Sequence, residues 1–176
     1  VIVIFMSFIG IDLAGKVKNP TGIAAINTKT FIKEVYSDED ILKFVDEHKP
    51  EVVAIDAPFS IPEDEWRGSD DQLRQDGFKP LSPRFPTMQL LSRRAQKLVA
   101  ALRKKYKVIE TFSRAIEETL ALDKTGVEHR LEAIISDHQY DAFLCALTAK
   151  ALSQEKTKMY GNPHDPNDQI HVPENE

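Results

Sequence analysis

The sequence predicts a single α/β domain, residues 1–176, built on a five-stranded mixed β-sheet flanked by helices. Two observations predict this class. Short apolar runs are interleaved with longer segments of helical periodicity. Three of the apolar runs precede the first helix, whereas the later ones are separated from one another by helices. A chain of 176 residues suits one domain with one buried core.

The chain begins with a predicted meander of three strands, at 9–11, 21–27 and 31–37, separated by turn-rich sequence. The opening run VIVIFMSFIGI is too short for a bilayer span of ~20 residues. We expect it to be a strand whose lead-in, Val1–Phe5, is poorly ordered, with Met6 as an alternative start. The sequence therefore predicts no membrane segment here.

A helix follows the meander in the segment SDEDILKFVDEH. Ser37 is the candidate N-cap, and acidic residues occupy the first turn, where the helix dipole favours them. Ile41, Leu42 and Val45 share one face. The continuously apolar EVVAIDAP then predicts a fourth strand that is covered on both sides.

The second half of the chain contains two clear helices around a fifth strand. A proline-rich segment of about thirty residues, 57–86, is predicted to be a long functional loop or insert. The helix TMQLLSRRAQKLVAALRKKY, the strand KVIETF, a short helix near 115–122 and the helix DHQYDAFLCALTAKAL come next. From residue 153 we expect a polar tail in which IHVP adds a short edge strand.

This order of elements is typical of the ribonuclease-H-like fold, with strand order 3-2-1-4-5. The first strand is then central, and the fourth and fifth strands lie parallel to it. The carboxyl ends of parallel strands meet at one edge of the sheet, where open α/β sheets bind ligands.

Composition excludes several classes of protein. The net charge of −5 argues against coating nucleic acid by bulk positive charge, although a local basic groove remains compatible. The single cysteine excludes an internal disulfide and a multi-cysteine zinc site. Cys145 stands in the apolar stretch AFLCALTA and is predicted to be a buried small hydrophobe. These features favour a cytoplasmic protein.

Carboxylates end the predicted first and fourth strands, in FIGIDLAG and VVAIDAP. Asp12 and Asp56 should therefore meet, and two adjacent carboxylates stay ionised only if a cation neutralises them. Asp141, near the start of the last helix, would complete a triad, and Glu110 ends the fifth strand as a fourth acid. Oxygen ligands suit Mg²⁺ or Mn²⁺, and such a cluster can hold two ions for phosphodiester cleavage. Taken singly, each acid could instead form a turn, a cap or an ion pair.

Five motifs resemble a family of uncharacterised proteins described as predicted nucleases of ribonuclease-H fold: GIDLAG…TGIA, VVAIDAPFSIP, PLSPRFPTMQLLSRRAQKL, VIETFSRA and HQYDAFLCALTA. The resemblance covers Phe8 to Ala151, and the chain is more distantly similar to Holliday-junction resolvases. It implies metal ligation by Asp12, Asp56 and Asp141. His138-x-x-Asp141 resembles the acidic or His/Asp pair of some resolvases, and Glu110 matches a family glutamate. Because resolvases act as dimers, the resemblance also implies a homodimer.

Basic residues supply candidate contacts to a nucleic acid backbone. No acid occurs from Leu81 to Ile109, and Arg93 and Lys97 share a helical stripe in that segment. Arginines in the 57–86 segment follow Asp56 and are candidates to bind phosphate bidentately: Arg67, Arg74 and Arg84. An ordinary solvated surface is the alternative for both groups.

These features favour a metal-dependent nuclease in which the aspartates hold the ions and Glu110 or His138 helps to activate water. Two alternatives stay open. GIDLAG also resembles the phosphate loop of sugar kinases and actin-like ATPases, although those proteins use two such domains. The second alternative is a catalytically inactive module that only binds nucleic acid.

Overall fold

The computed structural model describes residues 6–175, so the predicted lead-in Val1–Phe5 lies outside the described part. Within it, the strands are β1 (Phe8–Asp12), β2 (Thr21–Ile26), β3 (Thr30–Val35), β4 (Val52–Asp56), β5 (Lys107–Thr111), β6 (Thr157–Gly161) and β7 (Gln169–Pro173). The helices are α1 (Asp38–His48), α2 (Gly68–Gln75), α3 (Pro86–Leu102), α4 (Ser113–Leu120), α5 (Lys124–Leu131) and α6 (Asp137–Ser153). All five predicted strands are present, and Ser37 caps α1 by accepting from the Asp40 N–H as expected.

The sheet has seven strands in the order β3-β2-β1-β4-β5-β7-β6, not five. The predicted order 3-2-1-4-5 is correct for its first five members, and β1, β4, β5 and β7 run parallel. The segment predicted as a polar tail supplies both additional strands. IHVP forms a strand as predicted, within β7, but its predicted place at the edge is wrong, because β7 lies between β5 and β6.

The helices form a layer on each side of the sheet. On one side, α1 and α3 pack their apolar faces against Ile9, Ile11 and Ile55. On the other side, α6 packs against β1, β2 and β4, α4 contacts both α6 and β7, and α5 contacts α6. Cys145 is fully buried in this second layer, which confirms its prediction as a core residue. No helix within residues 6–175 is long and apolar enough to cross a membrane.

Two glycines allow α6 to lie unusually close to the sheet. A Cβ atom on Gly10 would overlap the backbone carbonyl oxygen of Ala142, and one on Gly22 would overlap that of His138. Both obstacles are backbone atoms of α6, which cannot rotate away as a flexible side chain could. The start of α6 therefore lies directly over the carboxyl end of β1.

Replacing Gly10 by alanine should separate α6 from β1. We expect a loss of about 3 kcal/mol in the free energy of unfolding, as for other overpacked cores. Gly126→Ala in α5 is the matched control, because its Cβ would meet only the Asp123 carboxylate at 3.6 Å and alanine favours a helix. Urea unfolding of both variants tests this, and equal stabilities would show that the helix and sheet can separate freely.

His171 on β7 makes the stability of the domain dependent on pH. Burial, and secondarily the charge of Lys107, lower the pKa of His171 to about 4. The native state therefore binds fewer protons than the unfolded state between about pH 6.5 and pH 4, and stability falls as the pH falls through that window.

His171→Asn should remove this dependence. Between pH 7 and pH 4.5 we expect the wild-type protein to lose about 2 kcal/mol more unfolding free energy than the variant. Guanidinium unfolding at both pH values measures the difference. Parallel losses would mean that His171 becomes protonated in the native state without cost.

Candidate active site

Two aspartates lie side by side at the carboxyl ends of the central strands. Asp12 on β1 and Asp56 on β4 are register partners in the parallel ladder, whose strands are ~4.8 Å apart. Residues at matching positions of a parallel pair point to the same side of the sheet. Asp12 and Asp56 share the side covered by α6, because Gly10 and Ala54, two residues before them, contact that helix or its neighbours. The sequence-based expectation that these two side chains meet agrees with this register.

The first turns of α6 bring two more polar side chains to this place. The Nδ1 atom of His138 lies 2.8 Å from Oδ2 of Asp12. Asp141 follows one turn later, on the same side of the helix. The capping box formed by Ser136 and Gln139 fixes where α6 begins, and the Ser136 hydroxyl also contacts Glu34 on β3.

The pKa values show that the three aspartates repel one another. Burial, and then the charge of Asp12, raise the pKa of Asp56 to about 6. Burial and the charges of Asp12 and Asp56 raise the pKa of Asp141 to about 7. Burial also raises the pKa of Asp12, although its hydrogen bond to His138 partly offsets the rise. The cluster carries more negative charge than its surroundings compensate.

The start of α4 contributes groups that sequence reasoning missed. The backbone N–H of Ser113 donates to Oδ2 of Asp56 at 3.1 Å. The next residue, Arg114, has a side chain that is 72% exposed, and its charge acts to lower the pKa of both Asp56 and Asp141. Its position directly after β5, the strand beside β4, is the signal that could have revealed it.

Glu110 does not share the side of the sheet on which the aspartates lie. In the β4–β5 ladder Asp56 pairs with Thr111, whereas Glu110 pairs with Ile55 and points to the opposite side. Its carboxylate accepts hydrogen bonds from both terminal nitrogens of Arg67, at 2.8 and 2.7 Å, and from the Phe59 N–H at 2.8 Å. Glu110 is thereby committed to an internal ion pair, which does not suit the predicted role in activating water.

Arg67 is the partner of that ion pair and is itself buried. Its guanidinium also contacts both carboxylate oxygens of Asp70, at 2.9 Å each. Glu110 and Asp70 hold the pKa of Arg67 above its usual value despite its burial. Only 4% of its side chain is exposed, so this geometry does not suit the phosphate contact predicted from sequence.

The other predicted basic contacts are exposed but dispersed. Arg74 pairs with Asp71 at 3.1 Å and lies over the Trp66 ring, and Arg84 donates to the Pro62 carbonyl at 3.3 Å. Arg93 and Lys97 are exposed on α3, in the helix layer opposite α6. The structure therefore brings together Asp12, Asp56, Asp141 and His138 and separates them from Arg93 and Lys97.

A divalent cation is compatible with the chemistry of this cluster. Across residues 6–175, no group of three or more His, Cys, Asp or Glu side chains is arranged as a metal-binding cage. Mg²⁺, however, is commonly held by one or two carboxylates together with substrate phosphates, without an all-protein cage. Two neighbouring carboxylates with raised pKa values fit that mode of binding.

The fold is similar to that of two solved structures. Thermus thermophilus RuvC in complex with a Holliday junction substrate matches 85% of this chain and 96% of its own, with a TM-score of 0.55 and 15% identity. A second Thermus thermophilus RuvC structure matches with a TM-score of 0.52 and 17% identity, over 85% of this chain and 97% of its own. These likenesses confirm the predicted ribonuclease-H-like fold and its distant similarity to resolvases. No protein-family model matches the sequence, and no curated protein matches it significantly.

Removing Arg67 should destabilise the domain strongly. Arg67→Met leaves Glu110 and Asp70 buried without a counter-charge, which costs about 3–5 kcal/mol in comparable buried pairs. Arg74→Ala is the control, since its ion pair with Asp71 is about half exposed and should contribute ~1 kcal/mol or less. Urea unfolding compares the two, and similar small losses would show that water reaches Glu110.

Proposed function

We propose that this protein is a divalent-metal-dependent nuclease that cleaves phosphodiester bonds in nucleic acid. The observation that carries the proposal is the register of Asp12 with Asp56 beneath Asp141, with the charges of Asp12 and Asp56 raising the pKa of Asp141. Supporting it, the fold is similar to that of a RuvC seen with a Holliday junction substrate. A homodimer and a cytoplasmic location remain predictions from sequence.

Each residue of the cluster has a defined part in this proposal. Asp12, Asp56 and Asp141 would hold Mg²⁺ or Mn²⁺. When bound, two such ions activate water and stabilise the leaving oxygen. The Ser113 N–H orients the Asp56 carboxylate, and His138 orients that of Asp12. His138 is 48% exposed, so its other ring nitrogen can exchange a proton with water near the phosphate.

Arg114 is the phosphate contact that the geometry favours over the arginines of the 57–86 segment. Its side chain is highly exposed, and its charge is near enough to Asp56 and Asp141 to lower the pKa of both. Among the described residues, its only ion-pair partner is Glu117, at the long distance of 3.5 Å. The guanidinium can therefore reorient toward a phosphate without breaking a strong contact.

Asp12→Asn should abolish cleavage. Lewis-acid assistance contributes several kcal/mol to such reactions, so we expect a loss of roughly a thousandfold in rate with Mg²⁺ or Mn²⁺. The substrates are single-stranded, duplex and four-way-junction DNA and the corresponding RNAs. Asp46→Asn is the control, because that exposed carboxylate lies on α1, away from the cluster, and pairs with Lys105 at 3.0 Å.

Ion binding can be measured independently of cleavage. Mn²⁺ should raise the melting temperature of the wild-type protein by mass action and leave that of Asp56→Asn unchanged. A stabilisation by Mn²⁺ that persists in Asp56→Asn would place the ion elsewhere. Absence of both stabilisation and cleavage would favour the inactive nucleic-acid-binding module.

A further inference from the structure

A small cavity of about 100 Å³ opens beside Asp56, beyond the ends of β4 and β5. Its lining is mostly apolar and comes from β5, the segment 57–86 and the start of α3. The principal apolar residues are Pro58, Pro80, Leu81, Met88 and Phe112. Asp56 belongs both to this cavity and to the carboxylate cluster, so a molecule bound at one extends naturally toward the other.

One wall of the cavity is held rigid by the protein itself. Ser82 is 1% exposed, and its hydroxyl donates to the Glu65 carbonyl at 2.7 Å. Its own carbonyl accepts from the Phe85 N–H at 3.1 Å. Pro80 and Pro83 flank it and restrict the backbone further. The wall therefore has its shape before any ligand arrives.

The groups at the back of the cavity select against a charged ligand. Arg67, Asp70 and Glu110 line it, but they are bonded to one another. At the mouth, by contrast, Leu81 is 59% exposed, and Met88 and Phe112 are only partly covered. Apolar surface at the mouth and satisfied ions behind it suit a flat, weakly polar group.

We propose that this cavity receives an unstacked nucleobase of the nucleotide whose phosphate lies at Asp12 and Asp56; this inference rests on the proposed function. An enclosed apolar cavity of ~150 Å³ holds a whole benzene ring. This cavity is smaller, at about 100 Å³, but it is open on one side, so the edge of a six-membered base ring can enter while the rest of the ring stays outside. Stacking on Phe112 and packing against Leu81 would hold the ring. Because extracting a base from a duplex costs pairing and stacking free energy, the substrate class is single-stranded or branched nucleic acid.

The probe is a single-stranded DNA carrying one 2-aminopurine, titrated with the protein in Ca²⁺ in place of Mg²⁺, so that the carboxylates keep a divalent cation while cleavage is suppressed. We expect a change in 2-aminopurine fluorescence and, when Leu81→Gln is added, binding weakened roughly fivefold or more. Leu90→Gln is the matched control, since Leu90 is also exposed, at 43%, but lies on α3 outside the cavity. The same DNA in a continuous duplex should bind more weakly.

The outcomes separate this inference from the nuclease proposal. Equal binding by Leu81→Gln and Leu90→Gln, or an unchanged fluorescence, overturns the base pocket even if the wild-type protein cleaves DNA in an Asp12-dependent way. A Leu81-dependent signal without cleavage by the wild-type protein supports the pocket and rejects the nuclease. Cleavage of duplex as fast as single strand would also overturn the substrate class inferred here.

Discussion

The contact between α6 and the backbone of β1 and β2 is the constraint on which the site depends. With glycine at positions 10 and 22, the helix rests on the strands themselves, without an intervening layer of side chains. His138 and Asp141 stand on its first turns, so their distance from Asp12 and Asp56 is set by this contact. Any side chain inserted beneath the helix would lift two members of the cluster while leaving the other two in place.

The same end of the sheet carries Glu110 and the cluster of three aspartates, and the two differ in what compensates their charge. Glu110 is neutralised from within by a bidentate arginine and contributes to holding the 57–86 segment against β5. The three aspartates have a weaker set of partners. Burial raises the pKa of all four acids, but Arg67 opposes the rise at Glu110, whereas neighbouring aspartates add to it at Asp56 and Asp141. The pleat of β5 determines which partners are available, since Glu110 points toward Arg67, whereas Thr111 points to the side on which the aspartates lie.

Much of this arrangement could be predicted from sequence, and the failures have physical causes. Apolar runs ending in aspartate indicated β1 and β4 and the meeting of Asp12 with Asp56, because parallel strands align their ends. β6 was missed because the polar sequence from residue 153 carries little apolar periodicity. β7 was predicted as a strand but placed at the edge, because its position depends on pairing with β5, sixty residues away. The burial of Arg67 was not predicted, because no local pattern indicates that it pairs with Glu110, 43 residues later. Arg114 was overlooked because its position near the aspartates depends on where β5 ends and α4 begins, which the local sequence does not reveal.

The connection between β6 and β7, residues 162–168, supports the segment that follows β4. Its Asp168 accepts from the Ser69 N–H at 2.9 Å, and its Asn167 carbonyl accepts from the Ser60 hydroxyl at 2.7 Å. Arg103, directly after α3, donates to the side-chain Oδ1 of Asn167 at 2.8 Å. This turn therefore connects α2, the residues that follow β4 and the end of α3. An insertion in it, which most hairpins would tolerate, would displace these contacts and with them the segment beside Asp56.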